Sequence, residues 1–484
     1  MPAIRPRVRT ACVSGRPVCR LNSMKIIPLS LFLWLIVVSG YFGGAQPTSA
    51  QNAPIPKTDK TGPSLKFDFP DMRVGVAEYD EGPTGTTVFY FPKGAKGAVD
   101  MRGGAPGEVN AEILQNAYER PMVQAVVLSG GSWYGLSAAT GVANELKRMR
   151  AGEIDYIPGV VGAIIFDVGG RRFSRVTPDD VLGATAVRSA EAGWFPLGAR
   201  GAGRFAMQSV YFHRGDAAEN YASWPHSGQG GAFRTVGPTK IGVFTVVNAL
   251  GSIVDRNGIT VRCGRNDAGQ NCPSIADKLK NFPPIKQTTA ETGGPTPNTT
   301  ITLIVTNQKL PFFALQRLAT QVHSSMSRAI QPFATAMDGD ILYAVTTDEV
   351  ENPSLNATDL SVIASEVAWD AILASVPTLP ERPKQLTTKP RPETLQEFAG
   401  SYEFYGGGKL VVSAQSDSLS ATFEGNGRMY FDKDKTYTIT PAENGLFIIE
   451  SPGREVLRFD ERAGKPSGLT LNPGPWALKA AKKL

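Results

Sequence analysis

Thr299 is the residue of this chain best placed to do chemistry. It stands in Pro297-Asn298-Thr299-Thr300, after a turn-rich approach containing Gly293, Gly294 and Pro295, and heads the apolar run ITLIVT at 301–306. A hydroxyl there is a weak nucleophile until something takes its proton. If the chain were cut before Thr299, the new α-amine would lie beside the hydroxyl as a built-in base. Two carboxylates, Asp338 and Asp340, follow 39 and 41 residues later on either side of Gly339. Alone, D-G-D is an ordinary solvated turn. As a pair it could hold an ammonium and a hydroxyl in register. Asn248 lies near the end of a strand-like run at 242–250, where an amide is most often satisfied by its neighbours and could instead donate to an oxyanion. Gly130-Gly131-Ser132 matches neither G-x-G-x-x-G nor G-x-S-x-G, and no histidine is obviously placed to serve Ser132. Its backbone N–H groups, ahead of a helix, could still favour developing negative charge. Asn298-Thr299-Thr300 also fits the short glycosylation acceptor pattern.

The elements that must position these residues alternate between strand and helix. AVVL at 125–128 reads as a buried strand, and Leu136, Ala139, Val142, Ala143 and Leu146 recur behind it at helical spacing. Leu315, Leu318, Val322, Met326, Ala329 and Ile330 predict the core face of one helix, between the Thr299 strand and the Asp338 turn. Leu360, Ile363, Val367 and Ile372 predict another. The mixture argues for α/β layers. After a proline-rich stretch at 377–394, short strand-like runs at 402–412, 419–424, 429–431, 437–439, 446–449, 456–459 and 469–471 predict a small antiparallel barrel or sandwich over 395–484.

Charge narrows the class further. The net charge is +6, but residues 1–50 hold six basic residues and no acidic one, so the remainder is neutral. The basic balance belongs to a leader and argues for no nucleic-acid partner. Within it, Met24-Lys25 opens an apolar run at 26–38, and small residues close it at 48–50. That is the pattern of a secretory signal peptide with Met24 as the start, and it predicts a periplasmic or secreted protein that keeps no membrane anchor. A 434-residue mature chain then remains of the 484. Removing the leader takes away Cys12 and Cys19. Export makes a disulfide between the remaining Cys263 and Cys272 the favoured reading, with two unpaired thiols the alternative. His213, His226 and His323 are the only histidines, at no ligand spacing, and there is no C-x-x-C. No metal and no cofactor are expected.

Taken together, the ordered motifs resemble one family. VDMRGGAPG at 99–107, AVVLSGGSWYGL at 125–136, VVNALG at 246–251, NTTI at 298–301 and DGD at 338–340 look like the DmpA-type family. That family holds L-aminopeptidase/D-esterases, β-peptidyl aminopeptidases and nylon-oligomer hydrolases. The resemblance runs from about residue 67 to 375. It implies a four-layer α/β/β/α hydrolase domain over 51–376, cut between Asn298 and Thr299 into chains 51–298 and 299–484 that stay together as a homo-oligomer of processed pairs. It also implies Thr299 as nucleophile, Asp338 and Asp340 as the pair orienting it and its amine, and Asn248 at the amine or oxyanion. Gly130, Gly131 and Ser132 are candidates for an oxyanion or substrate loop. The substrate implied is a small peptide, amino-acid amide or ester. The C-terminal part resembles, more weakly, the β-barrel-like domain of some bacterial serine hydrolases.

Two positions depart from the family pattern. Gln229-Gly230-Gly231 stands where some members have K-G-G, and Ala184 where several have tyrosine. These departures keep open a catalytically inactive binding protein of the same fold, and an acyltransferase of the ornithine acetyltransferase type, which shares threonine self-processing and a related fold, stays open beside it.

Overall fold

The computed structural model describes residues 53–116, 122–171, 174–213, 224–264, 271–280, 298–386, 395–425, 430–431, 435–451 and 453–483. The leader, Cys12, Cys19, the approach to Thr299 at 281–297 and residues 387–394 lie outside them.

A nine-stranded mixed sheet builds the body. Its main strands are β1 (Arg73–Tyr79), β2 (Thr84–Met101), β3 (Met122–Ser129), β4 (Val160–Ile164), β5 (Gln229–Val236), β6 (Thr239–Asn248), β7 (Thr299–Gln308) and β8 (Ile341–Val350). Across the sheet the order is Glu108–Val109, β4, β3, β2, β8, β7, β6, β5, with β1 also on β2. The 18-residue β2 belongs to both halves. Its first part pairs with β1 and β3, and its end pairs with β8. The change of partner follows a register shift between Tyr90 and Ala95, where Pro92 interrupts the ladder and Gly94 takes φ +76°.

The side-chain alternation of the strands then makes four layers. Ile301, Leu303 and Val305 of β7 meet Val126 and Leu128 of β3, with Phe89 and Phe91, in a central core between the two halves. Ile304 faces the other way, onto helices α3 (Phe312–Ser325) and α4 (Ala357–Ala374), which contribute Leu315, Leu318, Val322, Leu360 and Val367. Across the molecule, Ala125 and Val127 meet Ala139, Val142 and Leu146 of α1 (Ser137–Met149) and Leu182 and Ala186 of α2 (Asp180–Arg188). This is the α/β/β/α arrangement that the resemblance implied.

One predicted helix is shorter than its apolar pattern. Helix α3 ends at Ser325, a 3₁₀ turn covers Met326–Arg328, and Ile330–Gln331 pairs as a short strand with Ser252–Ile253. Met326, Ala329 and Ile330 still reach the same core, so the burial pattern continued where the helix did not.

The C-terminal part is a closed antiparallel barrel of eight strands: β9 (Gly400–Phe404), β10 (Lys409–Ala414), β11 (Leu419–Glu424), β12 (Thr436–Pro441), β13 (Leu446–Ile449), β14 (Val456–Arg462), β15 (Lys465–Leu471) and β16 (Leu478–Lys482). The run at 402–412 is two strands, because Gly407 and Gly408 turn the chain at φ +90° and +88°. Tyr430 and Phe431 are not a strand. They fill the barrel interior, Phe431 stacking on Phe423 at 5.7 Å. Strand β16 closes the barrel against β9 and β15. Its sequence LKAAK has too little apolar weight to be read as a strand.

Cys263 and Cys272 form a disulfide, with Cα atoms 5.5 Å apart. No helix among the described residues is long and apolar enough to cross a membrane.

Candidate active site

Strand pairing brings the three predicted elements together. Thr299, first residue of β7, lies directly opposite Asn248, last residue of β6. On the other side β7 runs parallel to β8 with Ile301 beside Ile341. Asp340, one residue before β8, is thereby carried to Thr300. Its Oδ1 accepts the Thr300 N–H at 2.5 Å and its Oδ2 the Ala334 N–H at 3.0 Å. Asp338 Oδ2 accepts the Thr335 N–H at 2.9 Å. Asn298 donates through Nδ2 to the Met337 carbonyl at 3.0 Å. The Thr299 hydroxyl donates to the carbonyl oxygen of Asn298, the residue before it. Thr299, Asn298, Asn248, Asp338 and Asp340 are all 2% exposed or less.

Gly339 is part of this geometry. A Cβ on it would lie 2.8 Å from Thr299 Oγ1 and 2.9 Å from the Ala105 carbonyl oxygen. The D-G-D turn is therefore the wall against which the hydroxyl rests. A strap, residues 102–105 of the VDMRGGAPG motif, holds that turn from behind. Arg102 and Gly103 donate their N–H groups to the Asp340 carbonyl at 3.1 and 3.2 Å, and Ala105 to that of Asp338 at 2.8 Å. Gly103 permits the approach, since a Cβ there would meet Asp340 N at 2.2 Å.

The Asn248 amide is oriented at both ends. Its Oδ1 accepts the Met207 N–H at 2.9 Å and its Nδ2 donates to the Phe166 carbonyl at 3.3 Å. A carboxamide nitrogen carries two hydrogens, so a second donor remains. The Gly130-Gly131-Ser132 loop is a neighbour through Phe166-Asp167. Each of its N–H groups is already taken: Gly130 by the Gly85 carbonyl at 3.0 Å, Gly131 by Asp167 Oδ1 at 2.7 Å, and Ser132 by the Ile165 carbonyl at 3.1 Å. Ser132 Oγ accepts the Val168 N–H at 3.2 Å. The expectation of free backbone oxyanion donors at these three residues is corrected accordingly: the Gly131 and Ser132 N–H groups anchor the 165–167 segment that orients Asn248, and that of Gly130 is spent on Gly85.

Electrostatics single out the acid pair. Burial pushes the Asp338 carboxyl above its ordinary range, against the N–H groups that favour ionisation. Burial raises Asp340 much further, and the neighbouring Asp338 charge adds to the shift. Among the described residues no cationic side chain is paired with either carboxyl, so burial and mutual repulsion act together to disfavour ionisation of the pair. Among the described residues no group of three or more His, Cys, Asp or Glu is gathered where it could hold a metal ion.

Gln229, the departure from K-G-G, is wholly buried. Its Oε1 accepts from Thr87 Oγ1 at 2.8 Å and its Nε2 donates to the Pro196 carbonyl at 2.7 Å, a structural bridge between β5 and its neighbours. Ala184 lies on α2. Residue types alone did not point to Phe166, Met207 or Ala334, which act here through backbone atoms.

The four-layer α/β/β/α body thus gathers a buried hydroxyl, a carboxamide and two carboxyls where β6, β7 and the turn before β8 converge. Residues 67–379 match peptidase family S58, and the chain belongs to that family of aminopeptidase and amidase enzymes. It is 41% identical over 350 residues to the 6-aminohexanoate-oligomer endohydrolase of Paenarthrobacter ureafaciens, covering 69% of this chain and 91% of that protein. It is 34% identical over 279 residues to an uncharacterized aminopeptidase of Mycobacterium leprae, covering 55% and 72% respectively. Among solved structures, the L-aminopeptidase D-Ala-esterase/amidase of Ochrobactrum anthropi aligns with a TM-score of 0.45 at 14% identity, over 66% of this chain and 88% of that one.

Proposed function

We propose that this protein is an exported, self-processing N-terminal-threonine hydrolase. The observation that carries the reading is the Thr299 hydroxyl held on the Asn298 carbonyl, with Asn248 across the ladder and the D-G-D turn behind it. Thr299 Oγ adds to the Asn298 carbonyl carbon. The peptide C–N bond breaks as its nitrogen takes the proton that the hydroxyl gives up, leaving an ester between Asn298 and the threonine oxygen. Water hydrolyses that ester to an Asn298 carboxylate and a free Thr299 amine. The amine lies one residue from the N–H that Asp340 already holds, so the acid pair is placed to steady the ammonium that forms when the amine takes the hydroxyl proton.

In the second stage the amine takes the hydroxyl proton as Oγ attacks a substrate carbonyl. The same proton passes to the leaving amine, and water clears the acyl-threonine ester. The second Asn248 N–H stabilises the tetrahedral oxyanion, a donor of a kind whose loss typically costs about 10²–10³ in rate. The substrates are short linear amides and esters: amino-acid amides, small peptides, and aminoalkanoate oligomers of the kind for which the Paenarthrobacter relative is named. The leader pattern at 24–50 supports export to the periplasm or beyond. The processed pairs assemble as a homo-oligomer.

Denaturing intact mass of the purified protein beside Thr299→Ala tests the reading. Wild type should give two fragments meeting at Asn298/Thr299, and the variant one chain. A wild type that stays whole would mean that the proposed base never forms.

A further inference from the structure

The mechanism leaves the cluster around His323 without a part. His323, near the end of α3, is completely buried, and its Nδ1 lies 2.8 Å from Asp100 Oδ2. Asp100 Oδ2 also accepts Arg102 Nε at 2.6 Å, and its Oδ1 accepts Thr320 Oγ1 at 3.3 Å. Arg102 Nη2 in turn donates to the Thr320 carbonyl at 3.2 Å. On its other side the His323 ring meets Phe333 edge to face, 5.5 Å between centroids. His323 Nε2 has no partner among the described residues. An imidazolium would leave an unsatisfied N–H there, so the ring is neutral with its proton on Nδ1, donating to Asp100. Burial pushes the His323 pKa down in agreement.

The two segments that His323 touches both hold Asp340, alongside the Thr300 N–H on its Oδ1. Asp100 leads into Arg102 and Gly103, whose N–H groups hold the Asp340 carbonyl. Phe333 leads into Ala334, whose N–H holds Asp340 Oδ2. A single ring between them sets the spacing of the backbone grip and the carboxyl grip. We propose that His323 and Asp100 form a brace that positions Asp340 for the Thr299 reaction, His323 acting as a positioning residue that never meets substrate. This rests on the Thr299 reading.

A full-length chain made in a cell-free reaction as wild type, Thr299→Ala, His323→Phe and His323→Asn tests it. Appearance of the fragment beginning at Thr299 is followed by denaturing mass, and the cut protein is then assayed on a chromogenic amino-acid amide. His323→Phe keeps a ring against Phe333 and loses the donor to Asp100. It should cut itself about 10- to 100-fold more slowly, the scale expected of a misplaced reacting group, with kcat lowered similarly and KM unchanged. His323→Asn, whose amide N–H can replace the Nδ1 donor, should recover most of the rate. Wild-type cutting and turnover in His323→Phe would overturn the brace. Equal losses in both variants that track a fall in Tm would reduce it to fold support and overturn it as well. If wild type itself behaves as Thr299→Ala, the Thr299 reading fails first and the brace falls with it.

Discussion

At the scale of single residues, the most informative feature is a pair of buried carboxyls, Asp338 and Asp340, that no cationic side chain pairs with among the described residues. Asp338 and Asp340 ionise less readily in the folded, uncut chain than in the unfolded one, from burial and, for Asp340, from the Asp338 charge. The folded state therefore binds more protons between the unfolded carboxyl range near 3.8 and the raised folded values. Stability from these groups is complete below that range and is lost as pH rises through the folded values. Thr299→Ala, which keeps the chain uncut, isolates the effect. Its Tm should fall between pH 5 and pH 8 by at least about 2 °C more than that of Thr299→Ala/Asp338→Asn, where the repulsion is gone. Other groups, including His323, titrate alike in both proteins and cancel. Parallel Tm profiles would show that the pair is not loaded.

At the scale of elements, the site is made where β6, β7 and the turn before β8 end together. Gly339 tests this convergence. An alanine there would drive its Cβ to 2.8 Å from Thr299 Oγ1 and 2.9 Å from the Ala105 carbonyl oxygen. The strap or the hydroxyl must move, and a displaced nucleophile loses about two orders of magnitude in rate. Gly339→Ala should therefore fold with the circular dichroism of wild type yet remain mostly uncut, as a time course of fragment appearance would show. Cutting at the wild-type rate would mean that the turn is not the wall behind the hydroxyl. Much of this convergence was legible in the chain. Thr299 at the head of an apolar run, D-G-D after an intervening helix and Asn248 closing a strand are local patterns, and each lies where its pattern placed it. The strap at 102–105, Met207 and Phe166 were not legible as parts of the site. They act through backbone N–H and carbonyl groups at separations of about 40 to 240 residues, which no side-chain type encodes. The same limit hid β16, a strand whose pairing comes from barrel closure and not from its own composition.

At the scale of the molecule, the barrel shares its interior with the body. Phe205, Met207, Val210 and Leu250 belong to one continuous core with Tyr402, Phe404, Phe459 and Trp476. Trp476 stacks on His226 at 3.9 Å, and Arg204 Nε donates to the Pro475 carbonyl at 3.2 Å. Arg204 also joins Glu78 and Asp80 in a largely buried charge cluster. The segment that meets the barrel is the one whose Met207 N–H orients Asn248. The barrel thus supports one wall of the site, and its loss would be felt at the amide across from Thr299. Trp476→Ala removes a buried indole from that shared core and should cost roughly 3–5 kcal/mol. Because the core is continuous, far-ultraviolet circular dichroism and tryptophan fluorescence should still report one melting transition, shifted down for both. Two separated transitions, with only the lower one moved, would mean that barrel and body unfold independently and that the barrel does not buttress Asn248.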